Sequence, residues 1–148
     1  FLSTRAIKKF IKFNQKNKDY VTNGFAKIKN TSEFFSLNVP KLAKSKNNFL
    51  LYMSRSPIPG SKKRTFNKSF KQICMYGFPL KILNKYFGKN KYKSSFEKSE
   101  DIEILRFIEN GAKVKMVEVE DNILSIDTLK DLQFANKLKI SKLAMKNI

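Results

Sequence analysis

The sequence predicts an α/β protein whose mixed sheet is flanked by helices, and three observations predict it. Short runs of strand composition alternate with segments of helical spacing, which is the α/β pattern. Two of those runs, "VPKLAK" and "FLLYMS", are separated only by "SKNN", so they form a hairpin and the sheet is mixed rather than purely parallel. The 148 residues, 41% of them hydrophobic, suffice for a single domain with one core.

In order, Ser3 caps a helix that runs to about Lys18. "YVTNGFAKIK" is a strand that Gly24 weakens. "TSEFF" makes a short helical turn before the hairpin. Pro57 and Pro59 donate no ladder hydrogen bonds, so pairing stops at "SPIPG". "SKKRTFNKS" is a basic arm. "FKQICMYGF" carries apolar residues on both faces and reads as a buried strand. Pro79 stands at an N1-like position and opens the helix "PLKILNKYF". Ser94 and Glu97 have capping-box spacing and start one helix that runs through "FEKSEDIEILRFIE" to a stop at Asn110-Gly111. "KVKMVEV" and "NILSI" are strands, and a last helix begins near Thr128.

Composition excludes several functions. There is no His and a single Cys, which removes Ser-His-Asp and Cys-His catalysis, a disulfide framework and a Cys-rich zinc site. Five Gly residues form no phosphate-cradling cluster. The apolar runs are far too short for a membrane span, and a reducing, cytoplasmic setting fits. The net charge of +19 points to an anionic partner, and a basic nucleic-acid-binding module is the alternative function it supports. Against that module, the lysines are dispersed, and abundant Lys, Asn, Ile and Phe together are what an A/T-rich genome encodes. Nucleic acid is therefore an unlikely ligand. The acid-free segment before Asp19 fits an amphipathic targeting sequence and fits an ordinary surface helix equally. A chain beginning at Phe1 reads as a piece of something longer.

Three places carry candidate chemistry. Arg55 ends a strand just before two prolines, where a guanidinium can fork onto a carboxylate or phosphate, or pair with a neighbouring acid. Glu97, Glu100 and Asp101 share a helical face at spacings that repel, and Glu103 can pair with Arg106. In "NILSIDTLKDL", Thr128 and Asp131 have capping-box spacing, which leaves Asp127 at the strand's C-terminal edge, where open α/β sheets bind ligands.

The order "EFFSLNVPKLAKSKNNFLLYMSRSPIP", "FKQICMYGF", "SSFEKSEDIEILRFIENGAKVKMVEV", "SIDTLKDL" resembles the C-terminal half of the CMP-Kdo synthetases. These are the 3-deoxy-manno-octulosonate cytidylyltransferases, relatives of the acylneuraminate cytidylyltransferases. The resemblance runs from about Phe1 to Leu138. It implies the C-terminal part of a nucleotide-diphospho-sugar transferase-like fold. It also implies a cytoplasmic enzyme of lipopolysaccharide synthesis that joins CTP to a 2-keto-3-deoxy sugar acid, with Mg²⁺ as cofactor. On the same ground Asp127 is a metal ligand, and Arg55, Gln72, Tyr76, Glu97 and Glu100 bind the sugar acid. The arm at 61–69 then falls in a homodimer contact. Gln72 stands where the best-known members have His, and Ile104 where many have Gln. The half that carries the nucleotide loop and a second metal carboxylate is missing from the match, so the 148 residues are expected to be inactive alone.

Overall fold

The computed structural model describes residues 2–66, 68–87, 92–119, 129, 132–133 and 136–137. A five-stranded mixed sheet has the order β3-β2-β4-β1-β5. Helix α1 (Thr4–Lys16) starts where the Ser3 side chain accepts from Ala6 N, which satisfies an orphan donor of the first turn. It lays Ala6 and Phe10 inward. Strand β1 (Val21–Lys27) is an inner strand, antiparallel to β4 (Phe70–Gly77) and parallel to β5 (Val114–Glu118). β1 forms with Gly24 inside it, and the pairing is irregular there. The β1–β4 register shifts between Asn23 and Gly24, and a Cβ at Gly24 would stand 3.3 Å from the Ile73 Cβ, so the glycine permits close approach at the irregularity. Asn23 reinforces it from within: its buried amide donates to Ile73 O and Met75 O.

The short helix α2 (Thr31–Phe35) is capped by Asn30, whose side chain accepts from Glu33 N. It leads into the hairpin of β2 (Lys41–Lys44) and β3 (Leu50–Ser54). Strand β2 pairs with β4 only at Lys41 and Leu42. The hairpin tip turns through Asn48, at φ 59°, and reaches the far edge strand, where Asn48 O accepts from Met116 N. Helix α3 (Leu80–Phe87) follows β4.

The single helix expected after Ser94 is two. Helix α4 (Ser95–Glu100) ends at Asp101, which adopts φ 52°, ψ 49°, and α5 (Leu105–Glu109) starts afresh. A left-handed residue cannot continue a helix, so the break removes Asp101 from the face of Glu97 and Glu100. It also lets Ile102, Ile104, Leu105 and Phe107 turn into the main core with Phe25, Leu42, Met53 and Met116. A second cluster joins Phe10 of α1 to Ala26, Ile73, Met75 and Val117. At Asn110-Gly111 the expected stop holds, with Gly111 at φ 81°. The expected strand at 122–126 and the start of the last helix at Thr128 lie outside the described residues.

Candidate functional site

The end of β3 is a polar junction. Glu100, the last residue of α4, accepts the Ser54 hydroxyl at 2.7 Å and Arg55 N at 2.8 Å. The Arg55 guanidinium does not fork onto that carboxylate. It donates to the carbonyls of Glu100 at 2.7 Å, Asp101 at 3.2 Å and Leu37 at 3.1 Å. A six-residue helix leaves its last carbonyls without helical partners, and a cation at its C-terminus both satisfies them and complements the dipole. Three of the five guanidinium N–H donors are spent this way, and two remain for a further acceptor. Burial raises the Tyr52 phenol, and the charge of Glu100 beside it adds to the rise.

Gln72 and Tyr76 are also brought together. Both lie on β4, and the buried Gln72 amide donates to the Tyr76 hydroxyl at 3.0 Å. Burial first, then the charges of Cys74 and Glu103, push the Tyr76 phenol far above its ordinary range, so it stays a neutral hydroxyl. β4 is less uniformly buried than its composition suggests, because Cys74 between them is exposed.

Glu97 is set apart. It is 2% exposed, and its carboxylate takes Arg106 Nε at 2.6 Å and Ser94 N at 3.3 Å. Arg106 therefore pairs with Glu97, not with Glu103 as the spacing suggested; the helix break swings Arg106 back beneath α4 and over the Phe87 ring. The α4 N-terminus is closed by Glu109, which accepts from Ser95 N and Phe96 N. Glu97 thus stands in a self-contained corner, whereas Glu100 opens onto the β3 end.

Asp127 lies outside the described residues, and among those described no group of three or more acidic or Cys side chains could hold a metal. No helix among them is long and apolar enough to cross a membrane.

Sequence reasoning missed Lys41. It is fully buried at the start of β2, and its ammonium donates to Ser36 O at 2.8 Å and to Arg55 O. Burial pulls it down to about 8; Glu100 opposes the shift and Arg55 adds to it. In a chain this rich in dispersed lysine, nothing in the local pattern marked this one. The nearest signal is its place between Pro40 and Leu42, at the first paired position of a strand.

The architecture matches a solved structure of CMP:2-keto-3-deoxy-manno-octonic acid synthetase complexed with CTP, with a TM-score of 0.82 at 21% identity, over 95% of this chain and 58% of that one. The two share one fold. Residues 1–141 match the family model described as cytidylyltransferase, and the chain belongs to that family. It is 37% identical to the 3-deoxy-manno-octulosonate cytidylyltransferase of Thermodesulfovibrio yellowstonii over 117 residues, 75% of this chain and 45% of that protein. It is 31% identical to the enzyme of the same name from Christiangramia forsetii over 142 residues, 93% of this chain and 56% of that protein. The chain spans about half the length of these relatives.

Proposed function

We propose that this chain supplies the sugar-acid side of a CMP-Kdo synthetase. The observation that carries the reading is the 37% identity to a 3-deoxy-manno-octulosonate cytidylyltransferase across three quarters of the chain. In the proposed reaction the anomeric hydroxyl oxygen of a 2-keto-3-deoxy sugar acid attacks the α-phosphorus of CTP. The bond to the bridging oxygen breaks, pyrophosphate leaves and the hydroxyl proton goes to solvent or base. The two remaining N–H groups of Arg55 suit the sugar's carboxylate, and the neutral Tyr76 hydroxyl with Gln72 suits its ring hydroxyls. Glu100 supports Arg55 from behind, and Glu97 braces the helix that carries Glu100. Mg²⁺, held by Asp127, would neutralise charge that develops on the phosphates. The basic arm at 61–69 borders a cleft of about 350 Å³ walled by Phe34, Phe35, Pro57 and Arg64, and we assign it to a homodimer contact. The product would feed lipopolysaccharide assembly in the cytoplasm.

The test is pyrophosphate release by the complete enzyme with Kdo, CTP and Mg²⁺. Turnover is expected with Kdo and should fall by orders of magnitude in Asp127→Asn. The 148 residues alone should stay at background, because their five glycines form no phosphate loop. Turnover with other sugar acids but none with Kdo would overturn the substrate assignment.

A further inference from the structure

Two clusters make up the proposed site, one at the end of β3 and one on β4, and neither touches the other directly through the bonds given above. What lies between them is the dipeptide Pro40-Lys41. Pro40 O accepts from Gln72 N at 2.9 Å. In the register of the sheet, Lys41 pairs with Ser54 on one side and with Lys71 on the other. Its ammonium then holds the backbone on either flank of the Arg55 guanidinium, at Ser36 O beside Leu37 and at Arg55 O itself. Leu37 O is one of the carbonyls that Arg55 grips.

We propose that Lys41 is a positioning residue that joins the Arg55–Glu100 junction to the Gln72–Tyr76 pair and so sets the width of the sugar-acid site. It does not touch the ligand. An ammonium removed from water is costly unless it is satisfied, and here it is offset by two carbonyls and by the nearby charge of Glu100. A methionine would fill the same space and cost less to bury. The charge is therefore poorly explained by packing and well explained by what it holds. With Lys41 discharged, Ser36 O and Arg55 O lose a cationic donor, and the loop that carries Arg55 is free to shift relative to Gln72.

The titration follows from the same surroundings. The charges that act on Lys41 are Glu100 of α4, which holds its proton, and Arg55 just past β3, which loosens it; Lys71, opposite it on β4, is itself paired with Glu33 at 2.6 Å. Its proton leaves near pH 8, well below that of a solvated lysine.

The inference rests on the proposed sugar-acid site, and the experiment separates the two. In the complete enzyme, KM for Kdo and KM for CTP are measured for wild type, Lys41→Met and Gln72→Leu between pH 7 and 9.5. Lys41→Met is expected to raise KM for Kdo about tenfold, because both charge-assisted bonds to the backbone around Arg55 are lost. KM for CTP and kcat should stay within about twofold. Wild type should show KM for Kdo climbing above pH 8, and Lys41→Met should lack that limb. If Gln72→Leu raises KM for Kdo and Lys41→Met does not, the positioning role is overturned and the site survives. If neither variant moves KM for Kdo, the site reading fails and takes the proposal with it. A Lys41→Met variant that alters both KM values and kcat together overturns it too, as a structural residue would behave that way. Should Lys41→Met not fold, the wild-type profile decides: a KM for Kdo flat from pH 7 to 9.5 overturns the proposal.

Discussion

Glu97 and Glu100 lie three residues apart on one short helix, and the two ends of that helix treat them differently. Glu97 is sealed against Arg106, a full counter-charge, with 2% of its surface exposed. Glu100 sits within reach of the Arg55 guanidinium but takes neutral donors instead, the Ser54 hydroxyl and Arg55 N, while the guanidinium turns to carbonyls. The first arrangement closes on a counter-charge and buries the carboxylate. The second holds a cation in place without neutralising it, so part of the Arg55 fork remains available. Acidic residues of the same type and helix thus divide into one that holds the fold and one that borders the proposed site, and the partner's direction decides which.

The largest expected effect tests the closed corner. Arg106→Met strips the counter-charge from a buried carboxylate and should cost about 3–5 kcal/mol in urea unfolding, as breaking such pairs does. Adding Glu97→Gln should recover a good part of that loss, because two neutral groups are cheaper to bury than one unpaired charge. A double variant no better than Arg106→Met would mean that the Arg106 stack on Phe87, not the ion pair, carries the stability.

Next comes the open end. Glu100→Gln retains an acceptor but loses charge, and about 1–3 kcal/mol is expected, less than for Arg106→Met. Its larger consequence should fall on KM for the sugar acid, since Arg55 loses the anchor behind its backbone. A stability loss equal to that of Arg106→Met, with KM unmoved, would erase the distinction between the two carboxylates.

Much of this was legible in the sequence, and the failures have physical causes. The hairpin, the β4 strand though not its uniform burial, the Ser3 cap and the Asn110-Gly111 stop all follow from local rules that the fold obeys. The helix break was not legible, because Asp101 carries no sequence mark of a left-handed residue as glycine would. From that one error came the two others in the region, the shared acidic face and the Glu103–Arg106 pair. Gly24 was legible only as a weak strand former; the register shift and the close approach of Ile73 at that position depend on the partner strand β4. The pairing of Gln72 with Tyr76 was implied by resemblance rather than by spacing. The path from Lys41 to Arg55 depends on sheet register, which composition does not encode.

A smaller, local effect makes the closed end depend on pH. Glu109 has its carboxyl held below the usual range, first by the Ser94 hydroxyl and then by Phe96 N. A carboxyl lowered in the folded state contributes stability above its unfolded value near 4.5, and that contribution is lost as pH falls through the folded value. The Ser95 and Phe96 amides should therefore lose hydrogen-exchange protection on acidification below pH 4.5. In Glu109→Gln that acid-dependent loss should disappear. Amides that open at the same pH in both proteins would assign the transition to a different group.

The smallest effect concerns the residue that separates the two ends. Asp101 pays for its left-handed backbone with roughly 1 kcal/mol, less than most residues because Asp tolerates that region. Glycine would remove the strain, but it would also add freedom to the unfolded chain and delete the exposed pair with Lys93. These terms nearly cancel, so Asp101→Gly should melt within about 0.5 kcal/mol of wild type. Asp101→Val differs in one respect that matters: a β-branched side chain is badly placed at positive φ, and about 1–2 kcal/mol should be lost. The helix could avoid that strain only by continuing, which would carry Arg106 away from Glu97 and the Glu100 and Asp101 carbonyls away from Arg55. Both variants are compared by thermal melting. If Asp101→Val melts no earlier than Asp101→Gly, the break does not depend on the conformation of this residue, and the division between the two glutamates must be set by the core contacts of Ile102 and Ile104 instead.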